Sequence, residues 1–214
     1  MKILVIISIL LLSFSCKNNE KKSVKKIVIL KKSEKTTALK FTKSDTTEIK
    51  EVQNEVMSEN DILFNGKLKR YFNLSDFDQV FGKSDSIKLV SEGDSCYTIF
   101  ENNDGSFDSE DKYFYKDGST FENSKDKVAV EEFRFIKNNF IVFKGIKLTA
   151  DTTVNELAKI FPIATSNIGN MDVYNEGKLQ VIQLLENKKN TSDGHINLFI
   201  KNNKLYFMHW WFPC

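Results

Sequence analysis

The sequence predicts an α+β protein made of two tandem units, each a short helix packed on an antiparallel sheet of three or four strands. Three observations carry that expectation. Phe135-Ile-Lys-Asn-Asn139 followed by Phe140-Ile-Val-Phe143 returns as Phe199-Ile-Lys-Asn-Asn203 followed by Lys204-Leu-Tyr-Phe207, so that seven of nine positions are identical or Ile/Leu at an offset of 64 residues. Each copy reads as a β-hairpin, because two apolar runs flank a Lys-Asn-Asn turn in which Asn tolerates positive φ. An amphipathic helical segment precedes each copy, and a composition with 18 Phe and 2 Pro in 214 residues favours packed sheet over a Pro-rich linker.

The first unit is placed at 61–145. Asn65-Gly66 marks a turn after a short apolar run, and Leu68 to Leu74 is strand-like. Ser75 is the expected cap of a helix carrying Asp76 and Asp78 in its first turn, with Phe77, Val80 and Phe81 on one side and Gly82 at its end. The second unit, 146–214, offers a strand at Ile146–Leu148, a cap at Asp151 or Thr152, an apolar face of Val154, Leu157, Ala158 and Phe161, and a stop at Pro162. Ser75 set against Thr152 gives an offset of 77, so the first unit carries about 13 extra residues, placed between Asn102 and Lys127.

That insertion is acidic, with Asp104, Asp108, Glu110, Asp111 and Asp117 around Gly105 and Gly118. An EF-hand register fails, since Gly105 at the glycine position would put Phe100 at the first ligand. A hairpin of Lys112–Tyr115 and Ser119–Glu122 about Asp117-Gly118 is favoured over a noncanonical calcium loop. No metal site or cofactor is assigned.

Residues 1–15 read as an export signal: Lys2, an apolar run from Ile3 to Leu12, then Ser13, Phe14 and Ser15 before Cys16. The run is shorter than the ~20 residues that span a bilayer comfortably. This stretch resembles the type II signal peptides of bacterial lipoproteins, which implies that Cys16 is lipidated and that the protein is anchored to a membrane of the cell envelope, at the periplasmic face or the cell surface. Removing Cys16 from three cysteines leaves Cys96 and Cys214 as a candidate disulfide, or as one buried and one C-terminal thiol.

Residues 16–60 read as a flexible tether. Positions 17–43 hold 10 Lys against 2 Glu, while Glu48, Glu51, Glu55 and Glu59 dominate the distal part. Lysines near the anchor favour anionic headgroups as well as water; Ile49, Val52 and Val56 outline an amphipathic helix between Thr47 and Ser58, and Ile27–Leu30 a strand on the body. Residues 61–214 carry 19 basic and 22 acidic side chains, a charge of −3 that argues against nucleic acid as a partner.

The C-terminal strand is apolar on both sides: Leu205, Phe207, His209 and Trp211 alternate with Tyr206, Met208, Trp210 and Phe212. Such a strand is either covered twice or exposes an aromatic patch, and Tyr206 and Trp210 are the candidate partner-binding residues. Catalytic candidates are sparse. Asp193 beside His195 is a carboxylate–imidazole pairing that would serve an envelope hydrolase, although Asn190–Gly194 has the composition of a surface turn. His209 sits within an aromatic strand, Cys96 lacks a basic neighbour that would lower its pKa, and phosphate-loop, Gly-x-Ser-x-Gly and CxxC motifs are absent.

The order of elements from Leu63 to Phe212 resembles the beta-lactamase-inhibitor-protein-like family and its small outer-membrane lipoprotein relatives, whose paired helix-plus-sheet repeats serve as protein-binding surfaces. The resemblance lies in pattern, and it implies a noncatalytic interaction or ligand-binding module with an envelope protein as a candidate partner.

Overall fold

The computed structural model describes residues 55–93, 98–189 and 194–213. The signal, Cys16, most of the tether, the candidate Cys96–Cys214 pair and Asp193 lie outside the described residues.

Tight turns at residues with positive φ set the strand boundaries. β1 (Ile62–Phe64) turns at Asn65-Gly66 and folds back so that Phe64 bridges Leu68. β2 (Tyr71–Asn73) runs directly into α1 (Leu74–Val80), which buries Phe77 and stops at Gly82, φ 77°. β3 (Ser86–Leu89) leads through residues 90–111 to β4 (Lys112–Lys116), whose Asp117-Gly118 turn, φ 48° and 72°, returns as β5 (Ser119–Ser124). The expected acidic hairpin is therefore present. A turn at Lys125-Asp126 gives β6 (Lys127–Arg134), and Lys144-Gly145 joins β7 (Ile141–Phe143) to β8 (Ile146–Leu148). Then come α2 (Val154–Ile160), α3 (Pro162–Ser166), β9 (Gly169–Val173), β10 (Gly177–Leu185), β11 (His195–Lys201) and β12 (Lys204–Trp211).

The result is a mixed fold dominated by antiparallel sheet. One long sheet runs β3-β4-β5-β6-β12-β11-β10-β9, with β2 continuing the pairing along β6, and a small sheet runs β1-β7-β8. The two meanders meet at the centre, where β6 and β12 pair as Arg134 with Phe207, Phe133 with Met208 and Glu132 with His209. In the small sheet Ile62 pairs with Phe143, Leu63 with Val142 and Phe64 with Ile141.

The helices and the small sheet enclose one core against one face of the long sheet. Phe77 packs on Phe114 and Phe121, Phe64 stands edge-on to Phe133 at 4.8 Å, and Phe143 meets Phe161. Among the described residues the other face of the long sheet carries no α-helix, only the 3-10 turn Val90–Glu92 beside β3. No described helix is long and apolar enough to cross a membrane.

The structure departs from the sequence expectations in five places. The repeated phrase does not make two equivalent hairpins. Residues 199–207 turn at Asn202-Asn203 between β11 and β12, whereas residues 135–143 leave the long sheet and end as β7 in the small one. The cause is a partner 75 residues earlier: Asn65 Oδ1 accepts from Phe140 N, its Nδ2 donates to Asn139 Oδ1, and β1 offers Ile141–Phe143 a partner that the later phrase lacks. α1 starts at Leu74, one residue before the expected cap Ser75, and Asn73 at its N-cap makes no capping bond. α2 is capped by Thr153 in a capping box with Glu156, while the Thr152 hydroxyl accepts from Thr149 N. Pro162 opens α3 at its first turn instead of merely ending α2. Finally, the far end of the expected tether belongs to the body and is not helical at residues 55–58: Met57 is fully buried, Val56 pairs with Leu185 in parallel, and Glu55 Oε2 accepts from Ile163 N and Ala164 N.

Candidate functional site

On the helix-free face, strand register lines up one polar row. Tyr115 lies opposite Thr120, Thr120 opposite Glu132, Glu132 opposite His209, His209 opposite Asn197 and Asn197 opposite Gln183. These side chains share a face because their strand neighbours Phe114, Phe121, Phe133, Met208, Ile196 and Leu184 point into the core. A β-bulge interrupts β6: Thr120 pairs with Glu132 and the next pair is Phe121 with Val130, which leaves Glu131 as the extra residue. The doublet Glu131-Glu132 inside an apolar strand is the sequence signal for that bulge, and it went unread.

The bulge places Glu131 beside a cavity of about 300 Å³ walled by Lys88 and Leu89 of β3, Glu92 and Gly93, Tyr113 and Tyr115 of β4, Thr120, Glu132 and His209. Burial, reinforced by the like charges of Glu122 and Glu132, pushes the Glu131 carboxyl up to about 7. Burial also raises Glu132 against the opposing pull of Arg134, and raises Glu122 even though its carboxylate accepts from the backbone N–H groups of Ile99 and Phe100 at 2.9 and 3.0 Å. His209 is driven down to about 4 by burial and then by Arg70, so its imidazole is neutral at pH 7. Desolvation and Glu131 together raise the Tyr115 phenol.

The other half of this face is filled. Leu179, Val181, Phe199 and Phe207 are all at least 95% buried, and Phe199 stacks on Phe207 at 4.2 Å. The Arg134 guanidinium lies 4.6 Å over the Phe207 ring. Arg134 also donates to Glu132 at 2.7 Å, to Glu176 at 2.8 Å and to the Tyr206 hydroxyl at 3.1 Å, while Tyr206 and Lys201 both donate to Glu176. These bonds hold the Glu176 carboxyl down at about 2, the Lys201 bond contributing most.

The residues singled out from sequence fare differently. Trp210 is a core residue, fully buried against Phe64 with the Arg70 guanidinium 4.5 Å over its ring, and so cannot be a surface contact. Tyr206 is half-buried, and its hydroxyl is committed to Arg134 and Glu176. A bulge explains the altered facing: Phe199 pairs with Phe207 but Ile200 with Leu205, so Tyr206 is the extra residue and Leu205, expected beside Phe207, joins Met208 and Trp210 in the core. His195 stacks on Trp211 at 5.9 Å, and its Nδ1 is buried without a partner; its expected companion Asp193 lies outside the described residues. Gly194 is required by packing, since a Cβ there would come within 2.5 Å of the Phe212 ring.

The arrangement is suited to holding a polar ligand by carboxylate, hydroxyl, imidazole and aromatic contacts. Among the described residues no group of three or more His, Cys, Asp or Glu side chains is placed to hold a metal ion. Set against models of known protein families, curated proteins and solved structures, the chain matches none of them.

Proposed function

We infer that this is a noncatalytic binding module of the cell envelope, anchored through lipid on Cys16 and engaging a ligand or an envelope partner with the helix-free face of its long sheet. The observation that carries the reading is the cavity beside Glu131, where buried, mutually repelling carboxylates gather at a concave polar surface, the kind of place where strongly perturbed groups mark function.

The reading includes an origin in two tandem α+β units, with repeat offsets of 77–80 in place of 64. Leu68–Phe81 and Leu148–Phe161 align at an offset of 80 with apolar side chains at Leu74/Val154, Phe77/Leu157, Val80/Ile160 and Phe81/Phe161. β6 and β12 align at 77, and each helix is followed by a four-stranded meander. Leu74 N donates to Asp126 O as Val154 N donates to Asn203 O. The pairings between halves are self-complementary in the manner of a two-fold axis, since Glu132 meets His209, 77 residues later, and Leu63 meets Val142 at the middle of the small sheet. On this alignment the second unit begins near residue 141.

A photo-crosslinking side chain installed at Tyr115 in the lipidated protein tests the reading. Adducts are expected from Tyr115 and not from Ile163, which is exposed on α3 on the other side of the sheet. Equal adducts from both positions, or none from either, sink it. Cys16→Ser is expected to release the protein from the membrane fraction and to remove the lipid mass from the mature chain.

A further inference from the structure

Building on the binding-module reading, we propose that the cavity beside Glu131 receives a small organic cation whose nitrogen carries N–H donors, an ammonium or a guanidinium. Three carboxylates approach one another there, and two are compensated: Glu132 by Arg134 and Glu122 by two backbone N–H groups. Glu131 is not. Its carboxyl has no hydrogen-bond or ion-pair partner among the described residues, and the bulge that turns it out of the regular ladder aims it at the cavity.

The walls suit a cation as well as the floor does. Tyr113 and Tyr115 stand two residues apart on the same face of β4, so both rings border the space, and an aromatic face adds attraction for a cation of about 0.5–2 kcal/mol. The polar row then runs past His209 to Asn197, which is fully buried with neither amide atom hydrogen-bonded. A buried amide left without partners is a standing penalty of about 1–3 kcal/mol, and this one lies directly across from His209, which walls the cavity, so a polar group reaching past the imidazole would relieve it. A bare metal ion does not fit, because the described side chains make no three-ligand cluster. An anion would face three carboxylates against one wall lysine, Lys88.

Calorimetry on the full chain decides the matter, with agmatine as a free cation, a blocked Gly-Arg-Gly tripeptide as a polypeptide-borne one, and N-butylurea as an uncharged control. Agmatine is expected to bind and N-butylurea not to. Glu131→Gln is expected to weaken agmatine by roughly tenfold or more, as loss of a charged hydrogen-bond partner does, while Asp172→Asn on exposed β9 leaves it unchanged. If Glu131→Gln does not fold, Tyr115→Ala serves in its place with an expected loss of roughly three- to tenfold. Binding of the tripeptide but not of agmatine keeps the ligand class and moves its source to a protein side chain. Failure of both cations, or equal affinity in wild type and Glu131→Gln, overturns the proposal. Adducts still formed at Tyr115 in that event would leave the binding module standing and remove only its ligand class.

Discussion

The two halves of the helix-free face belong to one antiparallel sheet and differ in what fills them. On the β9–β12 side the face closes over Leu179, Val181, Phe199 and Phe207, with Arg134 laid across them. On the β3–β6 side the corresponding space is hollow and walled by carboxylates and tyrosines. One meander therefore packs its outer face with apolar side chains, and the other leaves a cavity there. The contrast shows how one face of a continuous sheet can be packed shut at one end and left open at the other, and the candidate site is the open end.

The largest test is to empty the filled half. Phe199→Ala should cost about 3–5 kcal/mol, read as a drop in denaturant midpoint, whereas Tyr115→Ala across the sheet should cost far less. Equal losses would erase the distinction. Next comes acid–base behaviour, which should have opposite sign in the two halves. Glu131 holds its proton more tightly when folded, so its contribution is full below about 4.5, the ordinary carboxyl value, and is lost as pH rises through about 7. Glu131→Gln should then stabilise the protein at pH 8 by up to about 3 kcal/mol while weakening cation binding. Glu176 behaves in reverse: its contribution is present above the ordinary carboxyl value and fades as pH falls toward about 2, so Glu176→Gln should lower thermal stability at pH 7 and little at pH 2. The smallest test uses the helices. Thr153→Ala breaks a capping box and should cost about 1 kcal/mol, whereas Asn73→Ala, at a cap without a capping bond, should cost about a few tenths.

Much of the frame was legible because it rests on local chemistry. Asp117-Gly118, Asn202-Asn203 and Gly82 are residues that accept positive φ, and they stand where chain reversals and the helix end occur. Phe77, Leu157 and Phe161 were readable as buried from helical spacing. What was not legible depended on partners far along the chain. Nothing within Phe135–Phe143 reveals that Asn65, 75 residues before Phe140, binds it and so draws Ile141–Phe143 into a different sheet. The bulges at Glu131 and Tyr206 shift which side chains face the core, and a strict two-residue alternation assigns them wrongly. Met57 looked like part of a leash because its neighbours are charged, yet they are the very groups that fix it: Glu55 to α3 and Glu59 to Arg70. The candidate site was missed for the same reason, since its walls come from β3, β4, β5, β6 and β12 and only the folded register assembles them.

That fastening of residues 55–57 also has a mechanical meaning. Met57 N to Leu185 O, Leu185 N to Glu55 O, and Ile163 N and Ala164 N to the Glu55 carboxylate are four hydrogen bonds clustered at one spot, with a buried thioether behind them. In a molecule held by its amino end, drag would enter here and pass first into β10 and α3, and it would reach β12 and β6, which help to wall the cavity, only by way of β11.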